Sequence, residues 1–358
     1  MSETPEPREP ERAPDSWAGA SLADLEAVMR DCGEPTYRAS QVFSWVHAHG
    51  VADFEAMTNV PLALRTALAE RRPVRSSRIA HRHDSDDGTI KLLLALADGE
   101  QVECVLIPEG ARRTACISTQ VGCGVGCTFC ASGAQGVVRN LSCAEIVEQV
   151  FWIRDIAGDR PTHIVVMGMG EPLHNVDALV GALRLIQAPD GLDLGARRIT
   201  VSTSGPVKGF EDFLASGLQV KLAISLHAVR DGLREELVPR GGSGTVAQLA
   251  DMARRWFEAT GRDVTYEYVL IGGINDSDDD ARELGRLCGA HRNVNVIPMN
   301  PVPFAPSLRA PPPARTRRFL EILRAQGAVV HARRQRGDDV AAACGQLRLS
   351  RNGSPPLT

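Results

Sequence analysis

The chain has 358 residues, 43% of them hydrophobic, and a net charge of −4. That is enough apolar material for one large folded unit with a small appended one and no need of disulfides. Nine cysteines without a regular framework, no apolar leader and no membrane-length apolar run exclude a disulfide-stapled secreted domain and a membrane-spanning protein, so a cytoplasmic chain with reduced thiols is expected.

Residues 1–16 hold Glu3, Glu6, Glu9, Glu11 and Asp15 against Arg8 and Arg12, with four prolines, the composition of a disordered acidic tail. Residues 17–80 read as a small helical module. Ser21 caps a helix carrying Leu22, Leu25 and Val28 that stops at Gly33, and further helices contain Val42, Phe43 and Val46, then Leu62, Leu64 and Leu68. A basic stretch over 71–83, with Arg71, Arg72, Arg75, Arg78 and Arg82, links this module to the rest and is a solvated face or a candidate phosphate-contacting one. Residues 81–108 form a β-hairpin extension, strands 89–96 and 101–107 around the turn Ala97-Asp98-Gly99-Glu100, with Glu103 inside the second strand.

From residue 113 strands are expected near 113–118, 162–169, 197–203, 219–226, 264–271 and 293–298, each followed by a helix, with a last strand at 329–331. The first helix opens on the capping box Ser142-x-x-Glu145. Six β-α units imply a parallel sheet covered by helices, either doubly wound or curled into an incomplete barrel. In both, ligands gather at the C-terminal strand ends.

One loop at such an end carries Cys123, Cys127 and Cys130 between glycines. Three thiolates leave one coordination position open, and no C-x2-C or H-x3-H partner stands nearby, so an open iron-sulfur cluster fits better than a zinc finger. Buried cysteines acting as small hydrophobes are the bland alternative. Later strand ends bring Gly170-Glu171, Ser202, Ser225-Leu226-His227 and Asn300 to the same rim, the makings of a cofactor-binding crown.

The C-x3-C-x2-C loop, with Phe129 before its third cysteine, and Gly168-Met169-Gly170-Glu171-Pro172 together resemble the radical S-adenosylmethionine superfamily. The resemblance implies a partial (β/α)6 TIM-like barrel over 109–340, a 4Fe-4S cluster held by Cys123, Cys127 and Cys130, and S-adenosylmethionine bound by Gly170, Glu171, Ser202, Ser225, Leu226, His227 and Asn300. Cys116, Cys344, Gln120-Val121-Gly122-Cys123, Gln135-Gly136, Arg139-Asn140-Leu141 and Tyr37-Arg38-Ala39 narrow it: from about residue 17 to 349 the chain resembles the RlmN/Cfr family of RNA adenine methyltransferases.

That resemblance implies a set of roles. Cys344, in the C-terminal segment 341–358, accepts a methyl group, and a carbon radical made from it adds to adenine. Glu103 takes the proton from the substrate carbon, and Cys116 attacks the sulfur of Cys344 to release product through a transient disulfide. Implied substrates are adenines of 23S rRNA at the peptidyl-transferase centre and, in the RlmN branch, the adenine beside the tRNA anticodon. The implied electron donor is flavodoxin or ferredoxin, and the protein is expected to be a monomer with no membrane partner. The developed N-terminal module favours RlmN-type C2 methylation over Cfr-like C8 methylation; a non-catalytic zinc RNA-binding protein is the alternative of another class. Arg240-Gly241-Gly242-Ser243-Gly244-Thr245 departs from the family's usual asparagine, basic and aromatic stretch, and no role attaches to Cys32, Cys104, Cys143 or Cys288.

Overall fold

The computed structural model describes residues 16–134, 136–239, 244–289, 292–302, 304–332, 337, 340–342 and 345–347. The tail 1–15, residues 240–243 and Cys344 lie outside the described residues.

Three helices form the N-terminal module: α1 (Leu22–Asp31), α2 (Tyr37–Ser44) and α3 (Leu62–Arg71). As expected, Ser21 caps α1, accepting from the Asp24 amide while Asp24 accepts from the Ser21 amide. An antiparallel meander follows, β1 (Arg78–Asp84), β2 (Ile90–Ala95), β3 (Gln101–Glu109) and β4 (Arg112–Ile117). A two-stranded pair, β5 (Gln120–Gly122) and β6 (Val137–Asn140), then brackets the cysteine loop and leads into α4 (Cys143–Ala157), whose capping box at Ser142 and Glu145 is present.

The remainder alternates: β7 (His163–Val166), α5 (Val176–Gln187), β8 (Ile199–Thr203), α6 (Val207–Ala215), β9 (Lys221–Ser225), α7 (Asp231–Leu237), α8 (Val246–Thr260), β10 (Val264–Leu270), α9 (Asp278–Cys288), β11 (Arg292–Pro298), α10 (Pro313–Ala325) and β12 (Val329–Ala332). Among the described residues the main sheet has ten strands in the order β1-β2-β3-β4-β7-β8-β9-β10-β11-β12. From β4 onward all neighbours are parallel. A doubly wound sheet reverses its strand order at a switch point. Here every parallel strand adds on the same side of its predecessor, so right-handed crossovers put all connecting helices on one face and the sheet curls into the open barrel the resemblance implied.

Two elements differ from the sequence reading. The basic residues 78–83, expected as a linker, form the edge strand β1. An edge strand with one solvated face needs no apolar alternation and is kept from pairing further by its charges. The helix α7 was not expected, since it is short and starts at an uncapped Arg230.

The basic cluster 71–75 also faces differently. Arg71 pairs with Asp31 at 3.7 Å, Arg72 lies over the Trp17 ring, and Arg75 is buried, donating to Asp155 at 2.6 Å and to the Gly50 carbonyl while stacking on Trp152. Beside it, buried Glu148 of α4 accepts hydrogen bonds from Ser16, Ser76 and Ser77. These side chains fasten the module to the barrel, so Arg75 is no part of an exposed phosphate-contacting face.

Candidate active site

The cysteine loop is built on glycines. At Gly122 (φ +78°) an added Cβ would lie 2.1 Å from the Gly136 carbonyl oxygen, which accepts from the Cys123 amide at 2.9 Å. A Cβ on Gly133 would sit 2.9 Å from the Cα of Gly126, so the two glycines let the ends of the loop touch. Thr128 donates its amide to the Leu237 carbonyl, tying the loop to the end of α7.

Cys123, Cys127 and Cys130 line one cavity with Gly170, Glu171, Ser202, Ser225, His227 and Asn300, which hold the expected crown apart from Leu226. Leu226 is fully buried and does not line the cavity; its amide donates to the Glu267 carbonyl. The cavity encloses about 920 Å³ including its open mouth, room for a cluster and a nucleoside-sized ligand.

Glu171 is gripped from three sides. Its Oε1 accepts from Thr203 Oγ1 at 2.6 Å and the Leu173 amide at 3.0 Å, and its Oε2 accepts from the Ser204 amide at 2.7 Å. A carboxylate offers about four acceptor sites, so one on Oε2 stays open to a ligand ammonium. Gly170 before it has φ +102° and presses on Gln120, and Gln120 Oε1 accepts the Glu171 amide at 2.9 Å.

His227 stands in the left-handed region at φ +58°. Its Nδ1 accepts from the Val269 amide at 3.1 Å, which leaves the proton on Nε2. Burial, aided by the Arg234 charge, lowers its pKa to about 3. It is therefore a neutral donor at physiological pH.

Sequence reasoning missed several residues. Arg234 of α7 is buried and donates to the carbonyls of Ser225, Leu226, Ser204 and Gly244 at 2.9, 2.5, 2.6 and 3.3 Å, clamping the ends of β8 and β9 together. Its only signal was an arginine in a charged segment with no predicted helix. Thr203 and Ser204 share a hydroxyl-rich strand end with Ser202, and nothing in their spacing singled them out. Glu267 lines the cavity in one cross-strand row with Ser225 and Asn295, and Asn295 donates to its carboxylate at 2.8 Å.

Glu103 and Cys116 lie outside the cavity lining, on the antiparallel extension. Because Val105 pairs with Cys116 and side chains alternate, Glu103 and Cys116 share one face of the sheet. Glu103 is buried against Lys91 Nζ at 3.3 Å. Its carbonyl accepts from Ser118 Oγ at 2.6 Å, and Ser118 Oγ accepts from the Met169 amide at 2.8 Å, joining β3 to the glycine turn before Glu171. The chain just after Cys344 is docked at the cysteine loop: the Ala131 amide donates to the Gly345 carbonyl at 2.6 Å and Ser132 Oγ to the Leu347 carbonyl at 2.8 Å.

The expected disulfide is not found among the described residues: none of the eight described cysteines is bonded to another, and Cys344, the other half of the expected pair, lies outside them.

The residues fit an iron-sulfur cluster. Burial pushes the Cys123 thiol up to about 12 and the Cys127 thiol well above its ordinary value, so deprotonated sulfurs need a cationic group between them.

An open barrel of parallel strands with three cysteines on the first loop, and a gripped carboxylate after the second strand, defines a radical S-adenosylmethionine enzyme. Residues 117–285 match the Radical SAM superfamily, and residues 18–74 match the Ribosomal RNA large subunit methyltransferase N-terminal domain. The chain is 48% identical over 334 residues to a probable dual-specificity RNA methyltransferase RlmN of Symbiobacterium thermophilum, covering 92% of this chain and 90% of the relative. It is 43% identical to the dual-specificity RNA methyltransferase RlmN of an Anaeromyxobacter species, covering 100% and 98%. A radical SAM methyltransferase of Sphaerobacter thermophilus superposes with a TM-score of 0.89 at 45% identity, over 94% of this chain and 99% of that one. The chain belongs to the RlmN family of radical SAM RNA methyltransferases, whose cofactors are a 4Fe-4S cluster and S-adenosylmethionine.

Proposed function

We propose that the protein methylates C2 of adenine in 23S rRNA at the peptidyl-transferase centre and of the adenine beside the tRNA anticodon, through a methyl group carried on Cys344. The observation that supports this most is the convergence of three elements: the cofactor cavity, the face bearing Glu103 and Cys116, and the chain just after Cys344, held to Ala131 and Ser132 of the cysteine loop. When bound, the cluster and S-adenosylmethionine supply the methyl group and the radical that an unreactive aromatic carbon requires.

The chain's own residues do the rest. Glu171 and His227 orient the methionyl and nucleoside parts of the cofactor. The Cys344 thiolate takes the methyl, and its carbon becomes bonded to C2 once a hydrogen atom has been removed. Glu103, a buried carboxylate, accepts the C2 proton. The Cys116 thiolate then attacks the sulfur of Cys344, the S–C bond breaks with its electron pair on carbon, and that carbon takes a proton to become the methyl group; the one surplus electron of the adduct would pass to the redox group that the three cysteines hold, and a thiol reductant returns both sulfurs. The reaction belongs in the cytoplasm, with a small electron-transfer protein as donor. An adenine must leave its stack to reach the cavity, which loop RNA permits at low cost.

Nuclease digestion of RNA treated with the reconstituted enzyme, followed by mass spectrometry, tests the assignment. The expected product is 2-methyladenosine. Finding 8-methyladenosine instead would move the protein to the Cfr-like chemistry, against the expectation drawn from its N-terminal domain.

A further inference from the structure

Lys91 is a buried lysine near the start of β2. A desolvated ammonium is costly unless its protons are received, and two receivers are seen: Glu103 Oε1 at 3.3 Å and the carbonyl oxygen of Ala341 at 3.3 Å. The first is the carboxylate assigned above to the substrate proton. The second lies three residues before Cys344, at a non-glycine position in the left-handed region, φ +49°.

The same hairpin fastens the rest of that turn. Gly337 donates its amide to Asp87 Oδ2 at 3.1 Å, a Cβ on Gly337 would lie 2.9 Å from Thr89, and the Ala342 amide closes the turn on the Gly337 carbonyl at 2.8 Å. Asp87 is drawn down to about 2, burial being outweighed by hydrogen bonds from Thr89, Gly337 and Ser85, so this anchor stays charged. The titratable groups around Glu103 include Lys91 on β2, Cys104 beside it on β3 and Cys116 on β4.

We propose that Lys91 is a positioning residue that joins the proton-accepting carboxylate to the segment bearing the methyl-carrying cysteine. One ammonium holds the Glu103 carboxylate in its charged form and, with another proton, sets the turn before Cys344. The ammonium divides its protons between the two acceptors, so the placement of the carboxylate and that of the Ala341 carbonyl are linked through a single side chain. The inference rests on the assignment of Glu103 as the proton acceptor.

The test uses the anaerobically reconstituted holoenzyme with Lys91→Met, Glu103→Gln and the double variant, followed by hydrogen exchange of peptides covering 337–347 and by the pH dependence of single-turnover RNA methylation. In Lys91→Met, exchange of the Ala342 amide rises about tenfold or more, and the acid limb of the pH profile moves up by about one unit or more, because the carboxylate has lost its cation. Lys91→Arg restores most of the profile. Glu103→Gln stops methylation but keeps the segment protected, since the bond to Ala341 remains. If Lys91→Met does not fold, the double variant, which buries no lone charge, still shows the faster exchange.

Exchange and pH limb both at wild-type values in Lys91→Met, or wild-type exchange in the double variant, would overturn the proposal. Wild-type methylation by Glu103→Gln would instead overturn the assignment of Glu103, and with it the linkage, whatever the exchange shows.

Discussion

The Phe129 ring stands edge-on to the His227 ring, centroids 4.8 Å apart and planes at 72°, so the cysteine loop rests on the end of β9. Phe129 precedes the third cysteine and His227 lines the cavity, so one contact joins the cluster-holding loop to the cofactor crown.

Removing that ring should loosen both. Phe129→Ala is expected to cost about 3 kcal/mol, the usual size of a large-to-small change in a packed site. The reconstituted protein should keep less iron per chain and melt lower, whereas Phe129→Leu should stay close to wild type in both. Iron content and melting temperature unchanged in Phe129→Ala would show that the contact does not organise the loop.

Thr203→Val tests the grip on Glu171. The substitution preserves shape and removes the 2.6 Å hydrogen bond to Oε1, leaving that oxygen with the Leu173 amide alone. A hydrogen bond to a carboxylate contributes about 1.5–3 kcal/mol. The affinity of the cluster-loaded enzyme for S-adenosylmethionine, measured by anaerobic titration calorimetry, should therefore weaken by roughly tenfold or more, with iron content unchanged.

The sequence spelled out what depends on local pattern. Capping boxes at Ser21 and Ser142 mark helices that begin where the motifs stand, and the alternation after residue 113 yields the parallel strands. The choice between a doubly wound sheet and a barrel is made by strand order, which no local pattern encodes, and came instead from the resemblance. The crown residues were legible because strand ends collect ligands. Arg234 was not, because its role is to receive carbonyls from two strands more than twenty residues apart in sequence at their furthest. Lys91 reads as an ordinary strand residue until Glu103 and Ala341 fold against it. Arg75 shows the opposite error: a run of arginines suggested an exposed basic face, while stacking on Trp152 and pairing with Asp155 turn this one inward.

Arg234 should prove essential to the cavity. Its guanidinium gathers four carbonyl oxygens, and burial lowers its pKa only to about 10, so it remains charged. Arg234→Met leaves those carbonyls without a donor and is expected to destabilise the fold by about 3–5 kcal/mol. Arg234→Lys keeps the charge but cannot span all four oxygens, and should fall between. Equal urea midpoints for Arg234→Met and wild type would remove Arg234 from the supports of the site.

Stability should fall in mild acid because two histidines are buried neutral. His47, packed between Phe43 and Phe151 and bonded to the Ala20 carbonyl, is lowered by burial to about 4, and His227 to about 3. Both are depressed below the ordinary value near 6.5. Above that pH the rings are neutral folded or unfolded and add no pH dependence. As pH drops from 6.5 toward 4 the unfolded chain binds protons that the native one refuses, so stability declines, by up to about 1.4 kcal/mol per pH unit for each proton. Urea midpoints of the cofactor-free protein between pH 6.5 and 4.5 should show the decline. His47→Gln keeps a donor for the Ala20 carbonyl and cannot titrate, so its slope should be shallower by about one proton; a slope equal to wild type would mean that His47 is protonated in the fold.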